Sequence, residues 1–552
     1  MKLNYLKSIF LCSCLFAGIS ASAQDGQVDG IYYNFMDGNA EVTYYSKDAN
    51  SNKKTYVGEL VIPEQVTYES ATYTVTGIGN AAFKGCSDLK SVTIPSTVTA
   101  IGNNAFNGCS KLAAFTLPES MTSVEAYTFQ GCSSLTSLTI PESVTSLGAH
   151  AFHGCKGLTS FTIPAGVTSL GAYVFYGCTG LTSLEIPAGV TSIPSSAFSG
   201  CKGLTSVSIP VGVTSVGNNA FYGCGELASV ELPGSVTSIG NDAFALCRSL
   251  TSFDIPGGVT KIENFTFYAC SNLTSVTIPE TVTKIGNEAF AYCISLPSFT
   301  IPASIDTIGT YVFYNCAGMT SIAIQGNLKK IPSCAFAYCS NLTSIGFPES
   351  LRSISEDAFK ETPWYNNQPE GVIYAGNVLY CYNGVMPADT EIEIKEGTLA
   401  INEFAFSGCD SLVSVVIPES IDTIASYAFD GCTGLTQVRC LSEIVPKVEV
   451  DAFNGVTLNK VKLIVPDNTK SAYSEDPVWG KFMIVEESEA SGVKPDFGDY
   501  DEDLQTGILS AKNDAQTISE AYDLSGRRQN TLQRGLNIIR MTDGTTRKII
   551  VK

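Results

Sequence analysis

Histidines, carboxylates, tyrosines and a long file of cysteines are the residues in this chain whose types and spacing could do chemistry. Only two histidines exist, His150 and His153, and with Cys155 they spell His-x-x-His-x-Cys, a spacing that invites zinc ligation. The cysteine, however, belongs to a strictly periodic file. It recurs at 86, 109, 132, 155, 178, 201, 224, 247, 270, 293, 316 and 339, always 23 residues apart, and returns at 409 and 432. A side chain placed once per period belongs to a repeated structural role, so the reading assigns no metal and no cofactor. Equivalent positions elsewhere hold Asn104 and Asn107, which marks the two histidines as variable surface positions.

Catalysis finds little support. Gly-x-x-x-x-Gly-Lys, Gly-x-Ser-x-Gly and His-Glu-x-x-His are all missing from the sequence, so phosphate-loop, serine-hydrolase and zincin chemistry have no motif to rest on. The reading is therefore of a protein that is not an enzyme. Two stripes remain as candidate contact residues. Glu185, Glu231 and Asp254, with Ser208 among them, replace the threonine that usually precedes the last apolar residue of the strand segment. Tyr176, Tyr222, Tyr268 and Tyr314 follow every second periodic phenylalanine, with Ser199, Ala245 and Ala291 between them. A large-small alternation suits coil packing, and a file of amphipathic rings equally suits ligand contact. The acids similarly read either as a solvated face or as a place for a basic partner.

What must position these stripes is the period itself. Residues 132 to 155 give the unit: Cys132, Leu135, Leu138, Ile140, Pro141, Val144, Leu147, Ala151, Phe152, Gly154, Cys155. Leu135 to Ile140 alternates like a short strand. Pro141 ends it, because proline has no N–H for a ladder bond. Val144 and Leu147 start a return path, and Ala-Phe-x-Gly-Cys closes the turn. A single coil of 23 residues cannot bury enough apolar surface to offset its own ordering, so coils must stack. The fold class expected is a repeat solenoid, mainly β, of about sixteen 23-residue coils with β-rich caps. At the ~4.8 Å strand spacing this makes a rod or arc of roughly 75 Å. Equivalent cysteines then form a buried column, read here as reduced, since a bridge would require in-register Cβ atoms to close to ~3.8 Å.

The repeated Leu-Thr-Ser-Val-Thr-Ile-Pro, Val-Thr-Ser-Ile-Gly and Ala-Phe-x-Gly-Cys elements, over about residues 60 to 460, resemble the BspA-type leucine-rich repeat surface proteins. The resemblance implies a right-handed solenoid, cell-surface or extracellular placement, and adhesion to protein or glycan ligands of a host or matrix. The alternative is a structural surface-layer or spacer protein without a specific ligand.

Around the repeats the chain divides further. Residues 1–23 have Lys2 and Lys7, an apolar run from Ile9 to Ile19, and Ala21-Ser22-Ala23, the order of a signal peptide. Lipid attachment at Cys14 is the rival reading. Removing this leader takes the formal charge from −20 to −22 and leaves 17 cysteines of 19, an odd number that forces at least one unpaired thiol. So acidic a body argues against nucleic acid as a partner, and no stretch is apolar for long enough to make a transmembrane helix. Residues 24–76 read as an N-terminal β cap, 77–360 as the solenoid, and 361–391 as an irregular hairpin insertion, since Phe359 to Phe406 spans 47 residues. Residues 392–485 read as resumed repeats with a cap coil, and 486–513 as an acidic linker. Residues 514–552 read as a small β tail of three strands. Residues 519–552 carry +4, and Gly535-Leu536-Asn537-Ile538-Ile539-Arg540 with the terminal basic strand resembles a shortened type IX secretion sorting domain. This resemblance implies a cleaved sorting signal or an anchoring module and, with it, outer-membrane association; a plain cap is the alternative.

Overall fold

A computed structural model describes residues 25–44 and 56–491 and the backbone of four strands beyond residue 517. Alternating apolar residues do form short strands, and these pair in parallel with the strand one period away. Ser137–Thr139 lies on Ala114–Thr116, Ser183–Glu185 on Ser206–Ser208, and Ser252–Asp254 on Ser275–Thr277, each offset by 23 residues. The return path makes a second parallel ladder, as in Ser123–Val124, Ser146–Leu147 and Ser169–Leu170.

The turns make a third ladder. Phe129, Phe152 and Phe175 donate their N–H groups to the carbonyls of Ala151, Val174 and Ala197 in the next coil, at 2.8, 2.9 and 2.8 Å. Ladders on strand, return path and turn satisfy backbone groups that a buried coil would otherwise strand. The molecule is thus a mainly β solenoid of stacked 23-residue coils. Its strand ladder is less continuous than the pattern predicts, because no strand forms over 160–162 or 229–231, although Phe161 and Val230 stay buried.

The core is a column of rings. Phe83 to Phe359 contribute thirteen fully buried phenylalanines, one per coil, with centroids 5.0 to 5.9 Å apart. Beside them runs the cysteine column, whose chemistry the sequence leaves unexplained beyond size. From Cys109 to Cys339, and again at Cys432, each periodic thiol donates to a phenylalanine carbonyl 26 residues earlier, as Cys155 does to Phe129 and Cys224 to Phe198, at 3.1 and 3.2 Å. The same carbonyls already accept from a backbone N–H, as Phe198 does from Cys201 at 3.0 Å, so the thiol fills the second lone pair. Thr362, standing where the next cysteine belongs, keeps the role with its own coil, its hydroxyl donating to the Phe359 carbonyl at 2.6 Å. All 17 described cysteines are free thiols.

At the N-terminal end, Ile31–Met36 and Asn39–Thr43 pair antiparallel, and Asn39–Thr43 joins Ala71–Ile78 in parallel. Coil stacking begins at Gly58–Val61, which pairs with Leu89–Thr93, inside the segment that composition alone reads as cap. At the other end, fully buried Trp479 closes the phenylalanine column against Phe453, 5.8 Å away, and donates its indole N–H to the Pro446 carbonyl at 3.1 Å.

Between Cys339 and Phe406 the array breaks and is spliced. Pro363–Asn366 is one helical turn, capped by Thr362, and Gly371–Ala375 pairs antiparallel with Val378–Asn383 as a bulged hairpin. The second hairpin strand continues the return-path ladder onto Ala400–Ile401. One side chain completes the join. Asn402, buried, accepts from the Ile354 N–H at 2.8 Å and donates to the Ile354 carbonyl at 2.9 Å, substituting for a missing backbone partner. Asn402→Ala strands both groups at about 1–3 kcal/mol each. The expected result is a loss of about 2–6 kcal/mol in denaturant stability with faster hydrogen exchange at the Ile354 amide; unchanged protection there would contradict the splice.

Residues 491–552 form a separate unit. Its four strands order as Arg528–Gln529, Ile518–Tyr522, Gly535–Met541 and Thr546–Val551, all antiparallel. The three strands expected become four because Tyr522 to Arg528, read as one, is split between two strands that pair with each other. The leader expected at 1–23 lies outside the described residues, as do residues 492–513 of the linker and the strand-free parts of the tail; the start of the expected linker instead ends the strand Met483–Glu486 and forms the short helix Glu487–Ser491. Among the described residues no helix is long and apolar enough to cross a membrane.

Candidate binding surface on the turns

The Ala-Phe-x-Gly-Cys turn needs two left-handed residues per coil, one before the buried Ala-Phe pair and one at the glycine. The first is always an L residue, for example Asn104, Tyr127, His150, Tyr173, Asn219, Asp242 and Glu288, at φ between 52° and 61°. The second is glycine at 85, 108, 131, 154, 177, 200 and 223, with φ of 67° to 79°. Glycine adopts this region without steric cost.

From the next coil glycine is abandoned. Leu246, Ala269, Tyr292, Asn315, Tyr338 and Glu361 hold the same position at φ of 53° to 63°, and glycine returns at 408. A left-handed L residue costs about 1–2 kcal/mol, so in these six coils the second column carries the same kind of strain that the first carries throughout. Two of the six residues are tyrosines: Tyr292 falls between Tyr268 and Tyr314, which were singled out from spacing, and Tyr338 follows Tyr314. Tyr268, Tyr292, Tyr314 and Tyr338 form one continuous ribbon, with successive centroids 5.4, 5.5 and 5.3 Å apart. Phe265 and Tyr311, from the other left-handed column, flank it at 5.9 and 5.5 Å. Tyr311 and Tyr338 are both 39% exposed.

The structure thus places all four predicted tyrosines on the turn surface but divides them. Tyr268 and Tyr314 join the ribbon, Tyr222 stands 36% exposed two coils before it, and Tyr176 belongs to a second group. That group is built on the histidines. His150 is sandwiched between Tyr127 and Tyr173, at 4.6 and 4.5 Å with interplanar angles of 10° and 5°, and His153 leans on Tyr176 at 4.6 Å. The histidines are therefore half-buried parts of a ring stack, which corrects their reading as merely variable surface positions. Their Nδ1 atoms share a hydrogen bond at 3.1 Å, and burial pulls both imidazoles below their ordinary range. Among the described residues no three His, Cys, Asp or Glu side chains converge as a metal site, and Cys155 spends its thiol on the Phe129 carbonyl.

The predicted acids sit elsewhere. Glu185 and Asp254 are exposed on the strand ladder, in register with Ser208 and Thr277, and Glu231 is exposed where no strand forms. They accompany no ring of the turn surface. The carboxylates that do are Asp242 and Glu288, in the left-handed column on either side of Phe265. Burial raises both carboxyls above their usual range, and Asp242 raises Glu288 further. Burial also raises the Tyr268 phenol, with Tyr292, Glu288 and Tyr222 adding to it. Rings interleaved with carboxylates that repel one another suit a partner offering apolar edges together with hydroxyl or cationic donors.

Two comparisons place this architecture among known proteins. The model of the BspA type leucine rich repeat region matches residues 64–182, 168–283, 260–369 and 380–475. A leucine-rich repeat protein from Bacteroides ovatus is 28% identical, with a TM-score of 0.51, over 77% of this chain and 99% of its own. A leucine rich cell surface protein from Faecalibacterium prausnitzii is 26% identical, with a TM-score of 0.39, over 76% of this chain and 95% of its own. No curated protein matches.

Proposed function

Since the chain belongs to the BspA-type leucine-rich repeat family, we propose that it is an exported, non-enzymatic scaffold that holds an extracellular protein or glycan of a host or matrix on its turn surface. The observation that carries this reading is the ribbon at Tyr268, Tyr292, Tyr314 and Tyr338, two members of which occupy strained glycine positions. Strain of this kind persists where function repays it. Export rests on the leader at residues 1–23. Residues 514–552 act in this reading as the sorting or anchoring module, which associates the protein with the outer membrane. Glu185, Glu231 and Asp254 supply a second, strand-side contact for basic partners.

One observation favours the structural alternative of a surface-layer or spacer protein: the ribbon rings touch one another and are partly buried, as packing groups would be. Tyr222→Ala combined with Tyr268→Ala separates the two. Tested against an array of purified extracellular matrix proteins and glycans, the wild-type chain is expected to show saturable capture that weakens tenfold or more in the double variant, with its melting transition nearly unmoved. A lowered melting transition with no saturable capture by either form would favour the spacer.

A further inference from the structure

The break in the array leaves a groove of about 290 Å³ between the last coil before the insertion and the first coil after it. Its origin is a ladder that stops. One coil earlier, the turn amides of Cys334, Phe336 and Tyr338 donate to the carbonyls of Glu356, Ala358 and Lys360, at 3.4, 2.9 and 2.7 Å. The next coil would normally receive the amides of Asp357 and Glu361 in the same way, but the hairpin replaces that turn, and neither amide has an acceptor among the described residues. Two donors of a parallel ladder therefore border the groove at i, i+4 spacing.

Rings and carboxylates make up most of its walls. Tyr365 and Phe404 supply rings, Phe404 being 47% exposed, while Glu356, Asp357, Glu361 and Glu403 supply carboxylates. The one amine of the lining, Lys360, is paired with Asp357 at 3.1 Å. We infer that this groove binds an extended peptide segment carrying an arginine or lysine side chain. The peptide's carbonyl oxygens accept from the Asp357 and Glu361 amides, in the manner of a strand added to an open ladder. Its cationic head lies on the Phe404 or Tyr365 ring, with Glu361 and Glu403 balancing its charge. A neutral or acidic segment would meet excess negative charge with no compensating cation.

This site is separate from the tyrosine ribbon. The probe is acetyl-Gly-Arg-Gly-amide, titrated against the full chain by saturation-transfer NMR beside its citrulline and glutamate counterparts. The arginine peptide is expected to bind saturably and at least fivefold more tightly than the other two. Glu361→Gln with Glu403→Gln should weaken it fivefold or more, and Phe404→Ala likewise. Alanine is tolerated at that left-handed turn position, since Ala81 holds it in the first coil at φ 58°. Tyr222→Ala with Tyr268→Ala should leave it unchanged, so failure here and failure of the ribbon are distinguishable. Equal binding of the arginine and citrulline peptides, or binding untouched in both groove variants, would overturn the proposal in favour of diffuse attraction to an acidic surface.

Discussion

Raising the pH from 8 to 11 is expected to unfold this solenoid, and the cause is the cysteine column. Burial pushes the thiols of Cys132, Cys201, Cys247 and Cys293 from their ordinary 9 up to about 12. Each remains protonated in the fold while the unfolded chain would already release its proton. The sign follows: stability is complete below pH 9 and falls as pH rises from there towards 12. Each thiol contributes about 1.4 kcal/mol per pH unit in that window, so these four alone remove roughly 5–6 kcal/mol per unit, against a typical domain stability of about 5–15 kcal/mol. Neighbouring thiols in the same column shift in the same direction. Urea midpoints across this range, with thiol reactivity followed in parallel, check the account. Thiols that react near pH 9 while the fold persists would contradict it.

The same column shows what was legible beforehand. Period, strand, proline stop and buried phenylalanine could all be read, because a repeat averages many weak local signals into one strong one. The cysteine role was legible only in part. Spacing announces a buried small side chain, but not that each thiol fills the second lone pair of a phenylalanine carbonyl in the preceding coil. Thr362 was the available clue, since a hydroxyl is the natural substitute for a donor.

The candidate site was half legible for a different reason. Tyr176, Tyr222, Tyr268 and Tyr314 share one repeat position, so aligning coils finds them. Tyr292 and Tyr338 occupy the glycine position, a different column, and reach the ribbon only because adjacent turns lie side by side. The signal was present as Tyr-Cys where Gly-Cys is usual. Glu185, Glu231 and Asp254 were found by the same alignment, which also placed them on the strand side of the coil, away from the turns; only the missing strand around Glu231 was not legible. Asn402 was invisible, because its meaning depends on an amide 48 residues away.

The central claim is that the strained tyrosines exist for contact rather than for packing, and restoring glycine tests it. Tyr292→Gly with Tyr338→Gly removes about 1–2 kcal/mol of backbone strain at each position, forfeits ring contacts of about 0.5–1.5 kcal/mol each, and adds the entropic cost of glycine, about 0.5–1 kcal/mol. These terms nearly cancel, so the melting transition should hardly move. Loss of two of the four ribbon rings should nevertheless cut capture on the same array of matrix proteins and glycans by tenfold or more. A single experiment recording both quantities decides between the readings: an unmoved melting transition with capture lost is the predicted result, and a destabilised chain that captures as well as wild type would contradict it.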